Sequence, residues 1–217
     1  LASGRMRYCG QFRLRARRGA HLTQKTPTAM SLIKKLSARL QNHPKRIVYP
    51  EGADPRILQA ARQFSTRKLG VPILLGEREK ISEIAASVDV RLDGMKIIDP
   101  VSSDDFGELC RLMKAFPRFK ALDDDGIRNL VSNPNYYSTL MVASGRADAM
   151  LAGATTVSSS ALRPIFQIIP LQKAFKTASS ITILSTGRPE FGADGDIFLA
   201  DCGVIPEPDE RQLCDIA

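Results

Sequence analysis

Between Asp148 and Pro170 the sequence reads DAMLAGATTVSSSALRPIFQIIP. Thr156, Ser158, Ser159 and Ser160 offer four hydroxyls within five positions, and Arg163 follows three residues on. The small residues Gly153 and Ala154 let a ligand or a helix approach the backbone closely. A helix beginning here turns free N–H groups and the positive end of its dipole toward one point. Thr155, Thr156 or Ser158 is the expected cap. Arg163 adds a planar fork that matches phosphate or carboxylate oxygens. The chemistry these residue types share is anion binding. The stretch reads equally as a capped helix, kinked at Pro164, with an arginine on its surface. It is not a Walker loop, because no GK[ST] follows, and it contains no GxGxxG.

The four cysteines, Cys9, Cys110, Cys202 and Cys214, form no CxxC pair, and none has a histidine close by in sequence. Their spacing calls for neither a zinc site nor a disulfide framework, and no metal is expected. A reducing cytoplasm is the default compartment.

Positioning the 148–170 stretch requires a scaffold, and the pattern supplies one. RIVYPEG (46–52) reads as a strand. DPRILQAARQFSTRKLG (54–70) reads as a helix capped by Asp54, with Pro55 at its first position and Gly70 as its stop. VPILLG (71–76) is a strand, EREKISEIAAS (77–87) a helix and MKIIDP (95–100) a strand. Helices follow over 103–116, 123–133 and 134–147, and 148–154 is a further strand. SSITILST (179–186) and DIFLADCGV (196–204) read as later strands. Alternation of this kind predicts an α/β protein, a mainly parallel sheet in three layers with helices on both faces. Ligands of such sheets gather beyond the carboxyl ends of the strands. The polar run 171–180 is the expected hinge.

The net charge of +8 suggests a polyanion partner until it is located. Residues 1–29 hold seven of the 31 basic residues and none of the 23 acidic ones, so the remainder is close to neutral. No nucleic-acid surface is expected of it. No apolar run approaches the ~20 residues that span a bilayer, so no membrane role is expected. The basic leader, 1–29, has no apolar segment of the secretory kind. It is expected to be disordered or to precede a start at Met30, where MSLIKKLSARL begins a helix. Residues 30–178 are expected to form a first α/β domain and 179–217 the start of a second.

The blocks YPEGADPRILQAA, NPNYYSTLMVASGRADAMLAGATTVSSSALRPIFQII and FLADCGVIPEP resemble the phosphate acetyltransferase family, which shares its pattern with the phosphate butyryltransferases. The blocks stand in the family's order, and the resemblance runs from about Met30 to Ala217. It implies a fold like that of the isocitrate and isopropylmalate dehydrogenases, with two α/β domains around a cleft. It implies reversible acetyl transfer between acetyl-CoA and inorganic phosphate, giving acetyl phosphate and coenzyme A. Coenzyme A is then a substrate, no resident cofactor is needed, and the full-length form is a homodimer. By the same resemblance Arg163 faces phosphate or acetyl phosphate; the residue pattern itself adds Thr156, Ser158 and Ser159 as candidate donors beside it. Arg56 lies near coenzyme A, and Cys202 lines the cleft. For Cys202 a covalent acyl-enzyme is weighed against a small buried residue at a strand end, and the second is favoured.

The family pattern also fails in two places. An arginine there precedes a His-Lys-Gly triplet, whereas this chain has FPRFKALDD, so Arg118 matches only with a one-residue shift. A later element resembling PVNDLSRG, carrying a serine, an arginine and a nearby aspartate base, has no counterpart here. The catalytic residues are therefore expected outside this sequence, which is read as a truncated chain with an incomplete second domain. Its last strands are expected to leave apolar faces uncovered. A phosphate butyryltransferase, or an inactive fragment that binds coenzyme A and phosphate, are the rival readings.

Overall fold

The structure, a computed structural model, describes residues 32–217. The basic leader and Met30 lie outside the described residues. An amphipathic helix, α1 (Leu32–Asn42), precedes the first strand, β1 (Lys45–Tyr49). Two strand–helix units follow: α2 (Pro55–Thr66), β2 (Gly70–Leu75), α3 (Arg78–Ser87) and β3 (Lys96–Ile98). Three helices, α4 (Phe106–Ala115), α5 (Asp124–Ser132) and α6 (Pro134–Ala143), lead to the short strand β4 (Ala149–Met150) and to α7 (Ser158–Ile168).

The four strands form one parallel sheet in the order β3-β2-β1-β4. Successive residues of each strand face opposite sides, as strand geometry demands. Val48, Ile73, Leu75 and Ile98 pack against Leu109 and Met113 of α4, Val131 of α5, Tyr137 and Leu140 of α6 and Ile168 of α7. Tyr49 and Leu74 face the other way, onto Ile57, Leu58 and Ala61 of α2 and Ile81 and Ala85 of α3. The result is the anticipated three-layer arrangement, with α2 and α3 on one side and α4 to α7 on the other. Each fully buried aliphatic side chain stabilises it by about 1.5–3 kcal/mol.

Local signals set the helix starts. Asp54 accepts the Arg56 N–H with Pro55 at the first helical position, and Asn133 accepts the Asn135 N–H ahead of Pro134. Gly70 has a different role from the expected helix stop. Helix α2 ends at Thr66, and Lys68 takes the left-handed conformation after it. Gly70 opens β2 opposite Lys45, where an added Cβ would come within 1.8 Å of the Lys45 carbonyl oxygen.

The last two strands, β5 (Thr182–Ser185) and β6 (Asp196–Leu199), do not extend a parallel sheet. They pair antiparallel as a separate two-stranded ribbon. Ten residues separate them, too few for the helical crossover that a parallel pair needs. Ile183, Leu184, Phe198 and Leu199 of the ribbon are exposed, as are Ile181 and Phe191 beside it. Helix α8 (Glu210–Ile216) ends the chain, opened by a reciprocal cap between Asp209 and Gln212.

Candidate functional site

The chain leaves β1 for β2 and β3 on one side, then returns to place β4 on the other. The direction of winding therefore reverses between β1 and β4, and a crevice opens beyond the carboxyl ends of those strands. Two segments meet there: residues 50–55 after β1 and residues 151–158 after β4. Arg46 secures the pairing from the far end. Its backbone N–H donates to the Asp148 carboxylate at 2.8 Å, and its guanidinium donates to the same carboxylate and to the Gly145 carbonyl.

The small-residue turn binds an anion, and the anion belongs to the protein. Glu51 Oε2 accepts the N–H groups of Gly153 at 2.9 Å and Ala154 at 2.8 Å. Glu51 Oε1 accepts the N–H groups of Thr155 and Thr156, both at 2.6 Å, and the Thr155 hydroxyl at 2.8 Å. Gly153 makes the turn possible with φ at +107°, a value that side chains disfavour. Burial alone would push the Glu51 carboxyl up; the amides of Thr155, Ala154 and Thr156 and the Thr155 hydroxyl outweigh it. They hold its pKa at about 2, against an ordinary 4.5.

Capping of α7 therefore differs from expectation. Its N-cap is Val157, without a side-chain hydrogen bond, and neither Thr155, Thr156 nor Ser158 caps it. Glu51 takes the N–H groups of residues 153–156, all ahead of the helix, and so fixes the turn that leads into α7 without capping it. Pro164 lies inside α7 and is buried, and the helix runs on through it to Ile168.

Arg56 closes the crevice from the α2 side. It forks onto Asp54, with Nε and Nη2 donating at 3.1 and 2.8 Å, and Nη2 also donates to the Ala154 carbonyl at 2.7 Å. A cavity of 580 Å³ opens beside these residues, walled by Glu51, Gly52, Leu75, Gly76, Pro100 and Thr155. Across the α5–α6 junction a second cavity, of 400 Å³, is lined by Asn133, Asn135, Tyr136, Ser159, Ser160 and Arg163. Arg163 is exposed, and among the described residues no carboxylate pairs with it. The site thus combines one arginine committed to structure, one arginine open to an anion, and hydroxyls one turn earlier on the same helical face as the open one.

The other expected residues lie apart. Thr156 is half-buried with its N–H taken by Glu51, and Ser158 is exposed and lines neither cavity. Arg118 is exposed on a short 3₁₀ turn, Pro117–Phe119, and lines neither cavity. Phe119 after it is buried in the core, where the family pattern has histidine. Cys202 follows β6 and is exposed, not the buried residue favoured from sequence, and its thiol donates to the Leu199 carbonyl at 3.3 Å. Next to it Asp201 accepts the Ser180 hydroxyl and the N–H groups of Ser180, Gly203, Val204 and Ile205. The Ser180 hydroxyl and these amides hold its carboxyl well below the usual range, unsuited to taking a proton. Sequence reasoning missed Glu51. Its only local signal was an acidic residue between a proline that follows a strand and a glycine.

Among the described residues no group of three or more His, Cys, Asp or Glu could hold a metal, and no helix is long and apolar enough to cross a membrane.

The parallel sheet and its switch point define an α/β protein whose crevice holds an internal carboxylate, Glu51. The sequence pattern of the phosphate acetyl/butaryl transferase family matches residues 31–217, and the chain belongs to that family. A phosphate acetyltransferase of Acetivibrio thermocellus is 30% identical over 188 residues, which cover 87% of this chain and 56% of that protein. One from Thermoanaerobacterium thermosaccharolyticum is 31% identical, with 87% and 57% covered. The EutD phosphotransacetylase structure from Staphylococcus aureus superposes with a TM-score of 0.72 at 27% identity, covering 83% of this chain and 54% of that one. A phosphotransacetylase structure from Streptococcus pyogenes gives 0.71 at 25% identity, covering 85% and 55%. The chain spans just over half the length of these relatives.

Proposed function

We propose that this chain forms the substrate-positioning wall of a phosphate acetyltransferase, which moves an acetyl group between acetyl-CoA and inorganic phosphate. The observation that carries the reading is Arg163, unpaired among the described residues and beside Ser159 and Ser160 in an α/β chain of this family. Arg163 and the two hydroxyls are assigned to the phosphoryl group of acetyl phosphate. The adjoining cavity, next to Arg56, is assigned to coenzyme A. In the reaction the thiol sulfur bonds to the acetyl carbon and the carbon–oxygen bond to phosphate breaks. The thiol proton goes to a carboxylate base, and inorganic phosphate leaves with the bonding electrons. Arg163 stabilises the charge that gathers on the leaving oxygen. The base is assigned to a segment corresponding to the rest of the relatives' length, since Asp201 is locked by its donors. Coenzyme A enters as a substrate and no resident cofactor is required. The working form is read as a cytoplasmic homodimer. Butyryl transfer is the second reading, because the family's description names both acyl groups.

The test is acetyl-CoA formation from acetyl phosphate and coenzyme A. The 217-residue chain alone is expected to turn over negligibly. Joined to a family-type C-terminal segment it is expected to be active, and Arg163→Ala in that form should lose ~2 kcal/mol or more of transition-state stabilisation. Absence of turnover in the joined form, or full activity of a folded Arg163→Ala variant, would refute the assignment.

A further inference from the structure

Glu51 stands two residues past β1, yet every donor it takes lies about a hundred residues further along the chain. The Ala154 peptide is gripped on both sides. Its N–H donates to Glu51 at 2.8 Å, and its carbonyl accepts from Arg56 Nη2 at 2.7 Å. Thr156, the last residue to donate to Glu51, is two positions ahead of the first residue of α7. The four amides are spent on an internal carboxylate, so a phosphate in the crevice cannot draw on them and must use other donors such as Arg163 and the α7 hydroxyls.

We propose that Glu51 is a positioning residue of this site. As a resident anion it shapes the 153–156 turn, and through that turn it sets both Arg56 and the start of α7, which carries Ser159 in its first turn and Arg163 in its second. The inference rests on the reading of Arg163 as the phosphate-binding group and of the cavity next to Arg56 as the coenzyme A site. Side-chain length and charge both matter. Glutamine keeps the length but has one acceptor oxygen in place of two, and its amide turns a donor toward two N–H groups. Alanine leaves a pocket of donors the size of a carboxylate.

The experiment uses the 217-residue chain, labelled with nitrogen-15. It follows the amide resonances of 153–156, the Arg56 Nε–H resonance and the binding of inorganic phosphate. Glu51→Gln is expected to shift all of these resonances and weaken phosphate binding at least tenfold. Glu51→Ala is expected to behave alike, and formate, at a concentration that leaves the wild type's phosphate binding unchanged, should refill the turn and restore both signals. A residue needed only for folding gives no such reversible recovery. Arg163→Ala should lose phosphate while leaving the 153–156 resonances in place. Unmoved Arg56 Nε–H and turn resonances in the folded variants, or unchanged phosphate affinity, would overturn the proposal. If Glu51→Ala does not fold, Glu51→Asp takes its place, with the same shifts expected at smaller size. If the wild type takes up no phosphate, the substrate reading falls on its own, and the Arg56 resonance still decides whether Glu51 positions the turn.

Discussion

Two carboxylates in this chain, Glu51 and Asp201, are each surrounded by N–H and hydroxyl donors, and each is consequently a poor proton acceptor. For Glu51 the consequence for acid stability has a definite sign. Its pKa falls from 4.5 unfolded to about 2 folded. Its contribution is therefore complete above about pH 4.5 and fades as the pH drops toward 2. Replacing it with glutamine is expected to cost about 2 kcal/mol at pH 7, the scale of hydrogen bonds to a charged group in a half-open site. The loss of stability between pH 4.5 and 2 should become shallower in that variant. Chemical denaturation across the pH range measures both, and an unchanged acid slope would contradict the assignment. At this scale the sequence was legible where partners are close neighbours. Asp54 with Pro55 and Asn133 with Pro134 declare their caps within three residues. Glu51 was illegible because its partners are joined to it by the fold and not by spacing. Thr155, Thr156 and Ser158 advertised a cap that none of them supplies, because the helix starts after Val157.

Elements divide into those with two covered faces and those without. Leu74 and Leu109 are fully buried on opposite sides of the sheet. Alanine at either is expected to destabilise the folded state by ~2–5 kcal/mol, read as a lowered denaturation midpoint. Ile183 and Phe198, cross-strand partners in the β5–β6 ribbon, are exposed. Serine at both should leave the midpoint within ~0.5 kcal/mol and raise the concentration at which the chain stays soluble. A large loss of stability would mean that the ribbon is covered by something. The strand–helix alternation was readable because β1, β2 and their helices each carry a clear period. The ribbon's direction was not, since Ile183 and Phe198 fit a parallel or an antiparallel strand equally. The ten-residue gap between the strands was the informative feature. The pattern for 148–154 fitted a longer strand, but Gly153 and the turn clamped by Glu51 cut β4 to two residues.

Across the whole molecule the charge is uneven. The first 29 residues hold most of the excess, and the α/β body is near neutrality. Residues 30–217 should accordingly show no binding to duplex DNA in a salt titration, and a steep salt slope would overturn that expectation. The sheet's connectivity carries one more consequence, for the order in which the molecule assembles. Strands β1 and β2, then β2 and β3, pair across intervals of about 25 residues. Strand β4 reaches β1 only across about a hundred, with Ile47 beside Ala149. The entropy of closing that long loop falls on the last strand to dock, and the turn that receives Glu51 is built with it. In pulse-labelled refolding, amides of β1 and β2 should gain protection before those of 149–156. The crevice is then the final part of the sheet to exist, and ligand binding there reports that folding is complete.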